Sequence, residues 1–165
     1  MEKKAAKILG IKSSTSLGLP DNKLDSIPLL NIVKEIEKKI ILIKPSIVYT
    51  HSNLDLNIDH QIVSRAVMTA CRPIQNISVK EIYFFEVLSS TEWTHETNRA
   101  FIPNYFVDIS KTISLKIKAF KSYKNEIRKY PHPRSIEGVE ILSKYRGMMA
   151  GVKNAEAFFI RRKIS

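Results

Sequence analysis

The chain has 165 residues and a mass of 18.9 kDa, with 27 Lys and Arg against 16 Asp and Glu, a net charge of +11 and a pI near 9.8. A hydrophobic share of 44% and a charged share of 26% exclude a disordered or low-complexity chain and suit one domain over residues 1–165 built on one core. No apolar run approaches the roughly eighteen residues of a membrane span, no apolar signal core follows Met1-Glu2-Lys3-Lys4, and the single Cys71 can form no internal disulfide, so the reading is a cytoplasmic protein.

The chain opens on Glu2 to Leu9, which reads as the last turns of a helix closed by Gly10, the residue that takes a left-handed C-cap without strain. A Ser, Gly and Pro rich stretch follows from Ser13 to Asn22, with a short strand expected around Leu17-Gly18-Leu19 before the turn at Pro20-Asp21-Asn22. Asp25 or Ser26 is expected to cap a long amphipathic helix that has Pro28 in its first turn and Ile32, Val33, Ile36, Ile40 and Ile43 on its apolar side. The β-branched run after Pro45, Ile47-Val48-Tyr49-Thr50, reads as a buried strand. Ile62, Val63, Ala66, Val67 and Ala70 then mark one face of a helix that ends before Pro73, and Cys71 at its close reads as a small buried hydrophobe.

Lys80 to Val87, rich in aromatic and β-branched residues, predicts a second strand. The order strand, helix, strand implies a parallel pair joined by a crossover. A long irregular segment containing Trp93, His95, Arg99 and Pro103 follows, and loops of that length are often binding loops. Tyr105 to Ile109 reads as a strand and Ser110 to about Lys129 as a helix; Tyr130-Pro131-His132-Pro133-Arg134-Ser135 breaks it; a further helix runs from Ile136 to Gly147 or slightly beyond, and Ala155 to Ile160 is extended. The fold class expected is α/β, a mostly parallel three-layer Rossmann-like sheet with helices on both faces.

The chemistry concentrates in Thr50-His51-Ser52-Asn53-Leu54-Asp55-Leu56-Asn57-Ile58-Asp59-His60, between a strand end and a helix start. In open α/β sheets the crevice beyond the carboxyl ends of the strands is where ligands bind, and imidazole and carboxylate are the ligands of a zinc ion that keeps a position open for water. The same residues also suit a plain polar loop, with Asp59 capping the helix and His60 in its first turn. The positive charge is spread, with Lys34, Lys38 and Lys39 beside Glu35 and Glu37, a second set from Lys116 to Lys129, and Arg161, Arg162 and Lys163 near the end. Such residues usually form solvated faces; binding of nucleic acid or anionic lipid through them is the alternative, without any specific nucleic-acid motif.

Several stretches resemble the LmbE/PIG-L-like zinc-dependent de-N-acetylases: Ala5 to Gly10, Leu19-Pro20-Asp21-Asn22-Lys23-Leu24-Asp25, Pro45 to His51, Asp55-Leu56-Asn57-Ile58-Asp59-His60, Tyr130 to Ser135, and Arg146-Gly147 with Ala155 to Phe158. The resemblance implies a zinc hydrolase that removes acetyl from N-acetylglucosamine-type sugars or their conjugates. It implies His60 as a zinc ligand. Asn57 stands where some members have a histidine that polarises the substrate carbonyl, and an amide N–H can donate there but cannot act as an acid. Asp59 is expected to orient an imidazole. His51 and Asp55 either line the pocket or are plain loop polarity; His132 and Arg134 either contact substrate or belong to a rigid turn.

The family's His-Pro-Asp-Asp-Glu motif, source of two metal ligands and the general base, does not occur in these 165 residues. The expectation is a member lacking its first strand and helix, with an incomplete zinc site and no activity on its own. Its partners would be an N-acetylated amino-sugar substrate and a second copy of the chain or a separately encoded N-terminal fragment. A non-catalytic sugar-binding scaffold and a basic polyanion-binding module are the alternatives.

Overall fold

The computed structural model describes residues 1–74, 77–94 and 100–165; His95 and Arg99 lie outside the described residues. Elements follow in the order α1 (Glu2–Leu9), α2 (Leu29–Ile43), β1 (Ile47–His51), α3 (Ile58–Ala70), β2 (Glu81–Phe85), β3 (Tyr105–Asp108), α4 (Ile113–Phe120), α5 (Ile136–Ala150) and β4 (Ala155–Lys163), with single 3-10 turns at Leu24–Ser26 and Thr91–Trp93. The strands form one open mixed sheet in the order β1-β2-β4-β3. The chain divides into two compact units, one of residues 1–16 and 106–157, the other of residues 17–105 and 158–165.

The second unit carries the parallel pair that the strand, helix, strand order predicts. β1 lies parallel to β2 from Ile47 opposite Glu81 to His51 opposite Phe85, with α3 connecting them. β2 in turn pairs antiparallel with β4, Glu81 opposite Lys163 and Phe85 opposite Phe158, across an irregularity between Ile82 and Tyr83. Ile32, Val33 and Ile40 of α2, Ala66, Val67 and Ala70 of α3, and Ile82 and Phe84 of β2 share one buried cluster with Leu24, Cys71 and Val79. This apolar set supplies most of the driving force for the unit. Arg162 fastens β4 to the base of the unit, its guanidinium donating to the carbonyls of Cys71 at 2.6 Å and Val79 at 3.0 Å. Burial pushes the Cys71 thiol up to about 11, partly offset by Arg162, so Cys71 is a core residue and no nucleophile.

In the first unit α1 packs on α4. Gly10 caps α1 at φ 69, as its position predicts. Ser135 caps α5 by accepting the Gly138 N–H at 2.8 Å, and Gly151 ends that helix at φ 71. The return to β4 is tied down by Asn154, whose carbonyl accepts the Ile109 N–H at 3.0 Å and whose Oδ1 accepts the Ser143 hydroxyl at 3.0 Å.

Four expectations change. The strand at Ile47–His51 is not buried: it stands at an edge of the sheet, with Ile47 43% and Tyr49 49% exposed. Residues 17–19 form no strand, because Gly18 sits at φ 67 and breaks extension. Asp25 and Ser26 lie in a 3-10 turn and do not cap α2; Pro28 holds the N-cap position and no side chain caps it. The helix expected from Ser110 to Lys129 is only Ile113–Phe120, followed by turns. Beyond Phe120 the chain meets Ser122 and Asn125, poorer helix formers than the residues before them, amid a crowd of lysines.

Candidate active site

The polar loop between β1 and α3 closes around one carboxylate. Asp55 is 1% exposed. Its Oδ1 accepts the Asn57 N–H at 2.9 Å and the Ser90 hydroxyl, and its Oδ2 accepts the Thr91 hydroxyl at 2.7 Å. The loop is braced further where the Asp55 carbonyl accepts from the Gln61 side chain at 2.6 Å, Ser52 N–H donates to the Phe85 carbonyl, and the Ser52 hydroxyl accepts the Leu54 N–H. Burial alone would raise the Asp55 carboxyl, but the imidazole of His60, the hydroxyls of Ser90 and Thr91 and the Asn57 N–H outweigh it and hold the group down at about 2. Asp55 is therefore a fixed negative charge.

Two imidazoles sit on this charge. His60, in the first turn of α3, brings Nδ1 to 3.0 Å from Asp55 Oδ1, at an angle that leaves that nitrogen without a formed hydrogen bond. His51, the last residue of β1, stacks on His60 with ring centroids 4.1 Å apart and planes 16° apart, and its other neighbour is Phe85 at 4.8 Å. The buried Nδ1 of His51 also has no hydrogen-bond partner. Burial, with His60 adding to it and Asp55 opposing it, pushes His51 down to about 4, so it stands neutral at physiological pH. Buried imidazole nitrogens are nearly always spent on a partner; Nδ1 of His51 is not.

Asn57 and Asp59 take structural positions beside this cluster. Asn57 is the N-cap of α3, its Oδ1 accepting the N–H of Asp59 at 2.8 Å and of His60 at 3.4 Å. Asp59 does not orient an imidazole: its Oδ1 accepts the Leu24 N–H at 3.0 Å, which ties the 3-10 turn at Leu24–Ser26 to α3. The carboxylate at an imidazole is that of Asp55. Ser90 and Thr91, which complete the Asp55 shell, are absent from the sequence reading. Their signal is the Ser89-Ser90-Thr91-Glu92 run, a Ser-x-x-Glu pattern in which the Glu92 carboxylate accepts the N–H groups of Ser89 at 2.6 Å and Ser90 at 3.2 Å.

His132 and Arg134 belong to the first unit, apart in the chain from the second unit's His51, Asp55 and His60. His132 Nδ1 accepts the Arg134 N–H at 3.0 Å, and the Arg134 guanidinium lies 2.5 Å from Glu126. Gly138 faces this turn so closely that a Cβ there would lie 2.2 Å from the Pro133 carbonyl oxygen. Their contacts build the turn.

A zinc ion in a catalytic site takes roughly three protein ligands and a water. The unpartnered Nδ1 of His51 suits such an ion, but Nδ1 of His60 faces Asp55 and both Asp55 oxygens are committed to protein donors. Among the described residues no group of three or more His, Cys, Asp or Glu side chains is placed to hold a metal. The donor set does not fit a complete zinc site.

Residues 2–71, which include the whole His51, Asp55 and His60 cluster, match the family model described as PIG-L: GlcNAc-PI de-N-acetylase. That segment, under half of the chain, is similar to the PIG-L, LmbE-like family. The fold agrees: a conserved protein from Thermus thermophilus superposes with a TM-score of 0.77 at 22% identity over 99% of this chain and 72% of its own. An N,N'-diacetylchitobiose deacetylase from Pyrococcus horikoshii gives 0.74 at 20% over 98% of this chain and 61% of its own. The 4-carboxy-2-hydroxymuconate hydratase of Pseudomonas putida gives 0.63 at 18%, over 98% and 70%. The chain thus spans about two thirds of the length of these structures. A deacetylase and a hydratase on one fold show that the PIG-L architecture alone does not choose the reaction. No described helix is long and apolar enough to cross a membrane.

Proposed function

We propose that this chain is part of a cytoplasmic de-N-acetylase, a hydrolase that splits the acetamide of an N-acetylated amino sugar or its conjugate into acetate and the free amine. The observation that carries the reading is that the family match encloses a place where two stacked imidazoles meet a buried carboxylate, His60 against Asp55 and His51 with its Nδ1 unpartnered. In this reading His60 is a zinc ligand, His51 a second nitrogen at the same edge, and Asp55 the charge that orients His60 from behind, as carboxylates do for metal-bound histidines. The Pyrococcus deacetylase on the same fold supports the substrate class.

Among the described residues the cluster offers no candidate for the general base, since Asp55 and Asp59 are both hydrogen-bonded into the scaffold. The proposal is accordingly that the chain does not hydrolyse acetamides by itself and that a second copy or another chain must add the missing donors. The test is acetate and amine release from N-acetylglucosamine and N,N'-diacetylchitobiose by the purified chain with added zinc. The expected result is release equal to a buffer control, with zinc bound at well under one ion per chain and weakened further in His60→Ala. Release above the control overturns the inactivity. Absence of any zinc or sugar binding overturns the family function and leaves a scaffold.

A further inference from the structure

A second pocket in the 17–105 and 158–165 unit lies outside the His51, Asp55 and His60 cluster. It has a volume of about 320 Å³ and is lined among others by Leu29, Asn53, Ser64, Arg65, Thr69 and Arg161. Two arginines therefore line one small concavity, from α3 and from β4. The carboxylates elsewhere in the molecule that meet cations are taken by Lys38, Arg72, Lys116, Arg134 and Lys163, and neither Arg65 nor Arg161 has a carboxylate partner among the described residues. Like charges facing one cavity repel unless an anion sits between them.

One further observation carries the same sign. Leu29 is the first residue of the fifteen-residue helix α2, and no side chain caps that end, so the positive end of a helix dipole lies at the pocket wall. Asn53 adds an amide.

We infer that this pocket is a binding site for a phosphate group, held between Arg65 and Arg161. Guanidinium is the side chain best matched to phosphate, because its planar fork bonds two oxygens at once. The volume admits a phosphomonoester head and leaves the remainder of a ligand outside. The site does not depend on the de-N-acetylase reading and uses none of its residues.

The experiment is calorimetric titration of the full chain with inorganic phosphate and with glycerol 3-phosphate at constant ionic strength, where non-specific screening is the same in every run. Saturable binding of both is expected, weakened about tenfold in Arg65→Gln and in Arg161→Gln and unchanged in Lys124→Gln, which alters the net charge equally at an exposed lysine of the other unit. Both arginines are exposed, so the variants keep the wild-type melting temperature, and Arg65→Lys, which keeps the charge without the fork, recovers only part of the affinity. No saturable binding below about 10 mM, or equal weakening in Lys124→Gln, overturns the site. Vesicles containing phosphatidic acid separate the sources: binding there alone, with none to soluble phosphate, makes the arginines a membrane-surface contact and also overturns it.

Discussion

Two loops of this molecule place a histidine just before a helix and cap that helix with a polar side chain, yet they spend the imidazole differently. In the turn before α5, His132 Nδ1 accepts a backbone N–H two residues ahead, and Ser135 caps the helix. Around the start of α3, Asn57 caps the helix, His60 in its first turn faces the buried Asp55 carboxylate, and the Nδ1 of His51 is left over. Composition and position along the chain are nearly the same. What separates a structural turn from a candidate site is whether the backbone consumes the ring nitrogen.

The comparison breaks most severely at Asp55. Asp55→Ala leaves the Asn57 N–H and the hydroxyls of Ser90 and Thr91 without their acceptor, and a loss of about 3 kcal/mol or more in denaturant unfolding is expected. A loss below about 1 kcal/mol would mean that the α3 loop is not organised by its carboxylate. The counterpart in the α5 turn is Gly138→Ala. A methyl group 2.2 Å from the Pro133 carbonyl oxygen must displace backbone, and about 2 kcal/mol is expected from overpacking, read as a lower melting temperature with no change in zinc or sugar binding.

The smaller substitutions sharpen the contrast. His132→Ala removes one neutral hydrogen bond and should cost about 1 kcal/mol while leaving zinc binding intact. His60→Ala should lower zinc affinity and also cost about 1 kcal/mol, because it removes the imidazole 3.0 Å from the buried Asp55 carboxylate. If chelation-sensitive zinc binding follows His132 and not His60, the two loops have been assigned the wrong way round.

Much of this contrast is legible in the sequence, and the part that is not has a physical reason. The β-branched run Ile47 to Thr50, the Ile62 to Ala70 stripe, the aromatic strand at Glu81 to Phe85 and the Gly10 cap are local signals, and each element lies where its pattern puts it. Helix α4 is overestimated because the spacing of Ile113, Ile117 and Phe120 continues by accident into Tyr123 and Ile127, while turn-forming residues between them decide the outcome. The Asp55 shell is the clearer lesson. Asn57 is two residues away and visible as a cap, whereas Ser90 and Thr91 come from 35 and 36 residues further on, a distance that no periodicity spans. Likewise Arg65 and Arg161 share a pocket only because β4 returns beside β2.

The mildest expected effect is on pH. His51 has its folded pKa at about 4, below the ordinary 6.5, so the folded chain binds fewer protons than the unfolded one between these values. Its contribution to stability is then full above about pH 6.5 and declines as the pH falls toward 4. Asp55, held at about 2 against an ordinary 3.8, adds its own loss only below that window. Denaturant midpoints of the metal-free chain at several pH values should therefore fall in two stages on acidification. His51→Gln should flatten the upper stage and keep the lower, because a glutamine neither takes up the proton nor disturbs the carboxylate. Persistence of the upper stage in His51→Gln would place that titration on another group and remove the ground for calling the α3 loop electrostatically distinct from the α5 turn.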